Sequence, residues 1–327
     1  MSPMVAHSHS EYSVRDSLLR VDDIPKLAKK HGWDTVALTD HGALEGVWAF
    51  KNACKKEGIK AVSGIEIYIT VPEEVIGARK SKSYHLTILA KNANGFSSIC
   101  KQLSRAHRDH YLGQKKHAVW TYENIFALED VIVLSGCYSS PFWRDHPAAA
   151  DDLARFVERF GDDFFFECQA LWDWDGQIFL NPVIYEMSKV FNRPLVVTPD
   201  CHFGSSDESC FHEALLAVAS GDPVGSPKAW KFSTKLNFIM TPDEMAEGLS
   251  RAGIPADVAR QAVDNTDLVS ARCKDWDWNE LPKPELPTVD GSMRELAFAG
   301  LAAKGLNSDE YRDRLEYELK NFSAGPG

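Results

Sequence analysis

The sequence predicts an α/β fold, and three observations carry that expectation. Seven short apolar or β-branched runs recur along the chain, at 3–6, 35–39, 61–70, 84–90, 131–135, 163–169 and 194–199. Segments with helical spacing separate most of them, so strand and helix alternate, which points to a doubly wound sheet or a barrel. The runs are nearly continuous in apolar residues, which suits a parallel sheet buried on both faces.

The helices justify themselves in order. Ile24, Leu27 and Ala28 precede a stop at Gly32, and Val47, Phe50 and Cys54 precede one at Gly58. Phe96, Ile99, Leu103 and Ala106 follow Asn94 as the expected cap. After about residue 240 the strands stop. Thr241-Pro-Asp-Glu244 reads as a capping box, Pro255 opens a further helix, and a proline-rich crossing occupies 281–287. Residues 291–320 look helical and charged, with i,i+4 ion pairs on offer in 312–320. The expected organisation is an α/β domain over 1–280 and a helical extension over 281–327.

Composition narrows the function classes. With 36 Lys and Arg against 47 Asp and Glu, the 327 residues carry a formal charge of −11, so any nucleic-acid contact must be local. Seven cysteines without a C-x-x-C pair point to a reducing compartment. No apolar run approaches the ~18 residues of a membrane span. The opening MSPMVAHSHSEYS has no basic start and no apolar stretch, so no signal peptide is expected. The expected location is the cytoplasm, with no membrane partner.

Chemistry concentrates at the strand ends. Five of the eleven histidines belong to this pattern. His7 and His9 follow the first run and Asp40-His41-Gly42 the second; Glu66 lies within the third and His85 opens the fourth. Cys137 follows the fifth, and Asp200-x-His202 ends the seventh. Parallel α/β sheets gather their catalytic groups at the carboxyl ends of strands. His, Asp, Glu and Cys at strand after strand is the donor set of a multinuclear site for Zn, Mn or Fe. Taken alone, His85 reads as a core histidine and Cys137 as a small buried hydrophobe. Cys201, between Asp200 and His202, is expected on the opposite face of its strand.

The stretch from His7 to Thr70, together with YHLTILAKNANGF, VIVLSGCYS, LVVTPDCHF and YRDRLEYELK, resembles the N-terminal PHP (polymerase and histidinol phosphatase) domain of bacterial DNA polymerase III alpha subunits. The resemblance spans nearly the whole chain with segment order kept. It implies a distorted seven-stranded β/α (TIM-like) barrel of PHP type and a trinuclear metal centre. Position by position, the implied metal ligands are His7, His9, Asp16, His41, Glu66, His85, Cys137, Asp200 and His202, and all nine are present. It further implies a metal-dependent phosphoesterase holding two to three divalent transition-metal ions, and specifically a 3′→5′ exonuclease acting on single-stranded DNA or 3′ ends. Implied protein partners are a replicative polymerase or its proofreading subunit. Two departures from the pattern matter. Ser17 stands where the family usually has Gly, and the polymerase palm, fingers, clamp-binding region and OB-fold are not found in these 327 residues. No polymerase active site is therefore expected here, and the C-terminal extension resembles only the start of the palm region. Asp173-Trp-Asp175 and Asp275-Trp-Asp277 mimic a catalytic pair but sit in loop-like sequence.

Paired metals about 3.5–4 Å apart can acidify a water and clamp both oxygens of a phosphoester. Glu66 is the candidate bridging carboxylate, with His9 and Asp200 as further catalytic candidates and His7 and His9 beside Glu66 on one metal. Arg79, Lys80 and Lys82 precede His85 and are the candidate substrate-phosphate contacts. Arg105, Arg108, Lys115 and Lys116, with His107 and His110, read as a second basic loop or a solvated helix face. Trp172 and Trp174 read either as a base-stacking pair or as packing under a long loop. Two alternatives to the exonuclease remain open: a structural module bracing a polymerase or binding its proofreading partner, and a small-molecule phosphatase of the histidinol-phosphatase type.

Overall fold

The computed structural model describes residues 3–72, 83–112, 117–282 and 290–323, and the chain divides into two compact units, Met1–Pro282 and Lys283–Gly327. In the first unit the strands are β1 (Met4–Val5), β2 (Thr35–Leu38), β3 (Lys60–Ile69), β4 (Tyr84–Ala90), β5 (Tyr111–Leu112), β6 (His117–Ala118), β7 (Val131–Leu134), β8 (Phe164–Gln169) and β9 (Leu195–Thr198). Seven of them form one sheet in the order β1-β2-β3-β4-β7-β8-β9, while β5 and β6 make a separate small ladder that the sequence did not signal. Beyond the ends of β1 and β9, Ser8 bridges Cys201 in parallel register, and the His9 N–H donates to the Cys201 carbonyl at 2.9 Å. The sheet is thereby a nearly closed barrel.

The barrel is mixed, which corrects the expectation of a parallel sheet. β4 runs antiparallel to β3, with Glu66 opposite Thr87 and Tyr68 opposite His85, and antiparallel to β7, with Ile88 opposite Val133. The remaining pairs are parallel. Unbroken apolarity reports burial on both faces and carries no information on strand direction.

Period-two alternation sorts each strand into two cores. Met4, Ala37, Val62, Leu89, Ile132, Phe165 and Val196 pack together inside the barrel. Val36, Leu38, Ile65, Ile67, Ile88, Val133, Phe166, Val197 and Cys201 face the surrounding helices, so Cys201 does turn away from its two neighbours. Those helices are α1 (Ile24–Lys30), α2 (Val47–Glu57), α3 (Ala93–His110), α4 (Tyr122–Phe126), α5 (Ala148–Phe160), α6 (Asp175–Val190), α7 (Ser209–Ser220), α8 (Pro242–Arg251), α9 (Ala256–Asp264) and α10 (Thr266–Arg272). Gly58 ends α2 at φ +68, a conformation glycine adopts without Cβ strain. The cap of α3 is Asn92, whose Oδ1 accepts the Gly95 N–H at 3.0 Å, two residues before the expected Asn94. Arg105 and Arg108 lie on this helix and not in a loop. Thr241 and Glu244 form the capping box of α8, and Pro255 caps α9. Asp175 opens α6, whereas Asp173 lies in the preceding turn. On α5, Leu153, Phe156, Val157 and Phe160 are buried, each contributing roughly 1.5–3 kcal/mol.

Helix α10 stops one end of the barrel. Its Val269 and the following Cys273 join the inner core. Thr266 Oγ1 accepts the Met4 N–H at 2.9 Å, and the Ser270 carbonyl accepts from Lys60 Nζ at 2.6 Å. That seals the amino ends of β1 and β3 and leaves the opposite end for the site.

In the second unit, α11 (Met293–Ala303) begins in a Ser292–Glu295 capping box, and α12 (Asp309–Ser323) carries an Arg314–Glu318 i,i+4 pair. Arg294 also pairs with Glu316. None of the described residues of these helices is buried. Among the described residues, no helix is long and apolar enough to cross a membrane.

Candidate metal centre

The nine residues implied as ligands converge at the open end of the barrel. Glu66 points inward because it continues the Val62–Gly64 series of β3. The bridge from His41 to Glu66 and the Gly42 N–H bond to the Glu66 carbonyl at 2.8 Å lock β2's exit loop beside it. His85 lies at the amino end of its strand yet reaches the same place, because β4 is reversed and its amino end stands among its neighbours' carboxyl ends. Asp200 sits at φ +50, and Arg15, which aims the loop at Asp16, at φ +69. Such backbone conformations persist only when their surroundings hold them. The Asp200 carbonyl accepts from Asn237 Nδ2 at 2.9 Å, and Gln169 Nε2 donates to Asp200 Oδ2 at 3.1 Å.

Glu66 is the hub. Its Oε1 lies 3.6 Å from His7 Nε2, 3.4 Å from His85 Nδ1 and 3.8 Å from Cys137 Sγ. Its Oε2 lies 2.7 Å from His41 Nδ1 and 3.5 Å from His9 Nε2. Asp16 Oδ2 joins His41 Nε2 at 2.9 Å to His202 Nε2 at 3.1 Å, and Asp200 Oδ1 meets His9 Nε2 at 3.2 Å and His7 Nε2 at 3.4 Å. The His9 ring is stacked between His41 and His202, with centroids 4.2 and 4.4 Å away.

A shell of acceptors outside this cluster fixes the imidazoles. Glu167, fully buried on β8, accepts from His7 Nδ1 at 2.8 Å and from the Thr198 hydroxyl at 2.6 Å. Asp40 accepts from the Ser10 N–H and from the Ser10 and Ser13 hydroxyls. With its proton given to Asp40, Ser13 Oγ is the acceptor for His9 Nδ1 at 3.3 Å. Both Nδ1 protons are thus held outward, which turns the His7 and His9 Nε2 lone pairs toward each other at 3.1 Å. Two lone pairs that close repel unless a cation or a proton lies beside them. Asp200 Oδ1 is buried against the same two nitrogens.

The electrostatics follow. Burial opposes charge on Glu66, but His41, His85 and His7 outweigh it and hold its carboxyl well below the usual range. Asp16 is lowered by His202 and His41 against burial, and Asp200 by His7 and His202 against burial. Burial disfavours protonated His7, yet Asp200, Glu167 and Glu66 raise it well above the ordinary histidine value; His41 and His202 are raised by carboxylates in the same way. His9 is lowered to about 3 by burial, His41 and His202, and is a neutral nitrogen donor. Burial, Glu66 and Asp200 push the Cys137 thiol up. Protons on His7, His41 and His202 take the place that cations would fill. Three groups have donor atoms within 4.8 Å of one another: His7, His9 and Glu66; His41, Glu66 and His85; His9, His41 and His202. The donor set therefore fits divalent transition metals.

Other candidate residues fall in different places. Arg79, Lys80 and Lys82 lie outside the described residues, as do Lys115 and Lys116. Trp172 packs against Gly248 and under Arg251, whereas Trp174 lines a cavity of about 550 Å³ above the cluster. Trp172 therefore has the packing role, and Trp174 faces the cavity while also packing on the core. Ser17 Oγ lies 2.9 Å from the His9 carbonyl and 3.0 Å from that of His202, and accepts the Leu19 N–H, tying its loop to two strands of the site. Sequence reasoning missed Glu167, whose one signal was a lone carboxylate inside the apolar run FFFECQ, and it missed Tyr138, Trp230 and Lys231 in the cavity wall.

A family profile described as PHP domain matches residues 6–170. DNA polymerase III subunit alpha of Borreliella burgdorferi is 27% identical over 331 residues, covering 96% of this chain and 28% of the relative. The protein of the same name from Treponema pallidum is 28% identical over 345 residues, covering 98% and 28%, and that from Aquifex aeolicus is 26% identical over 347 residues, covering 96% and 29%. The chain spans just over a quarter of the length of these relatives.

Proposed function

Because the chain belongs to the PHP domain family, we propose that it is a metal-dependent phosphoesterase, and specifically a 3′→5′ exonuclease acting on single-stranded DNA or 3′ ends. One observation supports the reading above others. Nine donor side chains meet beneath an open cavity, with the Nε2 atoms of His7 and His9 held 3.1 Å apart by acceptors outside the cluster. DNA as substrate, a replicative polymerase or proofreading subunit as partner, and a cytoplasmic location are proposed from relatives named as a polymerase subunit.

In this reading His7, His9 and Glu66 hold one ion, and His41, His85 and His202 serve the others with Asp16, Cys137 and Asp200, for two to three ions of Zn, Mn or Fe. When bound, such ions supply Lewis acidity toward a phosphoester oxygen and acidify water. Glu66 offers its two oxygens to different imidazoles, so one carboxylate would serve two ions. His9, neutral through the physiological range, presents Nε2 without competition from a proton. Asp200 lines the cavity with Oδ1 buried among imidazoles and Oδ2 held by Gln169, so its carboxylate stays ionised and fixed in direction beside the reacting position.

Incubation with Mn²⁺ and end-labelled single-stranded DNA tests the proposal. Stepwise shortening from the 3′ end is expected. Hydrolysis of a small phosphate ester without shortening of DNA would replace it with the small-molecule phosphatase, and no hydrolysis of either would leave the structural module.

A further inference from the structure

The cavity above the cluster has walls built for something other than the metals. One wall follows β8 and carries Trp174; the other, residues 230–237, carries Trp230, Lys231 and Phe232. Tyr138 stands against Trp174 with ring centroids 4.7 Å apart. Trp230 meets Phe232 edge-on at 5.4 Å, and Phe232 in turn packs edge-on against His202 at 4.8 Å. The aromatic walls therefore continue directly into the donor cluster. Asp173 latches the two walls together, accepting from the Thr234 hydroxyl at 2.5 Å and the Lys235 N–H at 2.9 Å.

Two of these rings are left in water. Tyr138 is 51% exposed and Trp230 56%, at the rim of a concave site, although burial of such side chains is worth well over a kilocalorie each. Lys231, between Trp230 and Phe232, is the one lysine or arginine among the described residues lining the cavity, and it makes no ion pair among them. Exposed aromatic faces, one unpaired cation and a phosphoester site form the complement of a single nucleotide. A volume of about 550 Å³ lies within the ~300–1,000 Å³ of small-ligand sites.

We propose that this cavity binds the one unpaired nucleotide at the end of a strand, its base stacked on Trp230 and the Tyr138–Trp174 pair and its phosphate neutralised by Lys231. The inference rests on the exonuclease reading and adds to it a requirement for a base. Stacking on π-faces tolerates any base, so the subsite is sequence-neutral and selects frayed or single-stranded ends over paired ones.

The test compares kcat/KM for removing the 3′-terminal nucleotide from a single strand with that for the same strand ending in an abasic residue. Stacking is worth enough that the abasic end should be cut about tenfold less efficiently by the unmodified protein. Trp230→Ala should lower kcat/KM on the intact end by a similar factor and barely touch the abasic end, erasing the discrimination; Trp230→Phe should restore it. Lys231→Ala should act on both ends alike and reduce the log–log salt slope by about 0.7. Equal cutting of intact and abasic ends by the unmodified protein overturns the subsite and leaves the exonuclease standing. Equal losses on both ends in Trp230→Ala make Trp230 a structural residue and also overturn it. If no strand is shortened at all, the exonuclease reading falls and the subsite with it.

Discussion

The two ends of the barrel interior differ completely, although the same strands line both. At the end stopped by α10 the inward positions are Met4, Ala37, Val62, Leu89, Ile132, Phe165 and Val196, all apolar and buried. Two or four residues further along the same inward series come Glu66 on β3, Glu167 on β8 and, just beyond β9, Asp200. The contrast shows how one sheet divides its tasks. Apolar contact at the sealed end supplies stability, whereas the open end gathers five imidazoles, a thiol and three carboxylates, where burial disfavours each charge and attraction between carboxylates and imidazoles offsets that cost.

The largest expected effect separates the ends outright. Glu66→Gln keeps shape but loses the charge shared among His7, His9, His41 and His85, so hydrolysis should be abolished while urea unfolding still shows a cooperative barrel. Phe165→Ala at the sealed end should do the reverse, costing ~3–5 kcal/mol of unfolding free energy while specific activity per folded molecule is retained. If Glu66→Gln unfolds the protein and Phe165→Ala abolishes activity at full stability, the division of tasks is wrong.

Smaller effects sharpen the upper end. Glu167→Gln removes the charge that orients His7 from outside the cluster and should weaken metal affinity about 10–100-fold, measured by competition with a chelator. Cys137→Ser, a poorer donor at one corner, should weaken metal affinity while hydrolysis persists, and should be less damaging to hydrolysis than Glu66→Gln. The reverse order would exchange their roles.

Metal affinity should also climb with pH, because His7, His41 and His202 hold protons that ions must displace. The sign for stability is the opposite. Groups raised in the folded state stabilise metal-free protein fully below the ordinary histidine value of about 6.5, and that contribution is lost as pH rises through the raised values. Melting curves with chelator should therefore fall with pH above that point. A metal-free melting temperature that rises there would contradict the charge arrangement.

The smallest effect concerns His212, lowered to about 4 by burial and His202. Its unfolded form takes a proton that the folded form refuses, so its contribution is lost as pH falls from about 6.5 toward 4. His212→Gln should flatten that stretch of the stability curve, since an amide can still donate to the Asp16 carbonyl.

Much of this was legible in the sequence, for a physical reason. Short apolar runs end where chemistry begins, so Asp200 and His202 stand out after LVVT, and His7 and His9 after MVA. Asp16, inside no run, was reached only through family resemblance. The direction of β4 was illegible, because Leu86, Ile88 and Ala90 bury equally well either way. Glu167 was hidden by its neighbours Phe164, Phe165 and Phe166, which mark a core strand. Trp230 and Lys231 lie in a segment with no periodicity to connect them to the site, and it is long-range contacts that bring that segment over the cluster: the Asp173 latch, Asn237 on the Asp200 carbonyl and Phe232 against His202. The sealing role of α10 was invisible as well, since Val269 and Cys273 read as an ordinary helix face until the barrel closes above them.

The central claim is that the open end of the barrel is a multinuclear metal site. Its most direct test is elemental analysis of protein purified without chelator, normalised to folded chain. The account predicts two to three ions per chain across Zn, Mn and Fe, lost on chelation together with a drop in melting temperature. Fewer than one ion per chain, with an unchanged melting temperature on chelation, would contradict it.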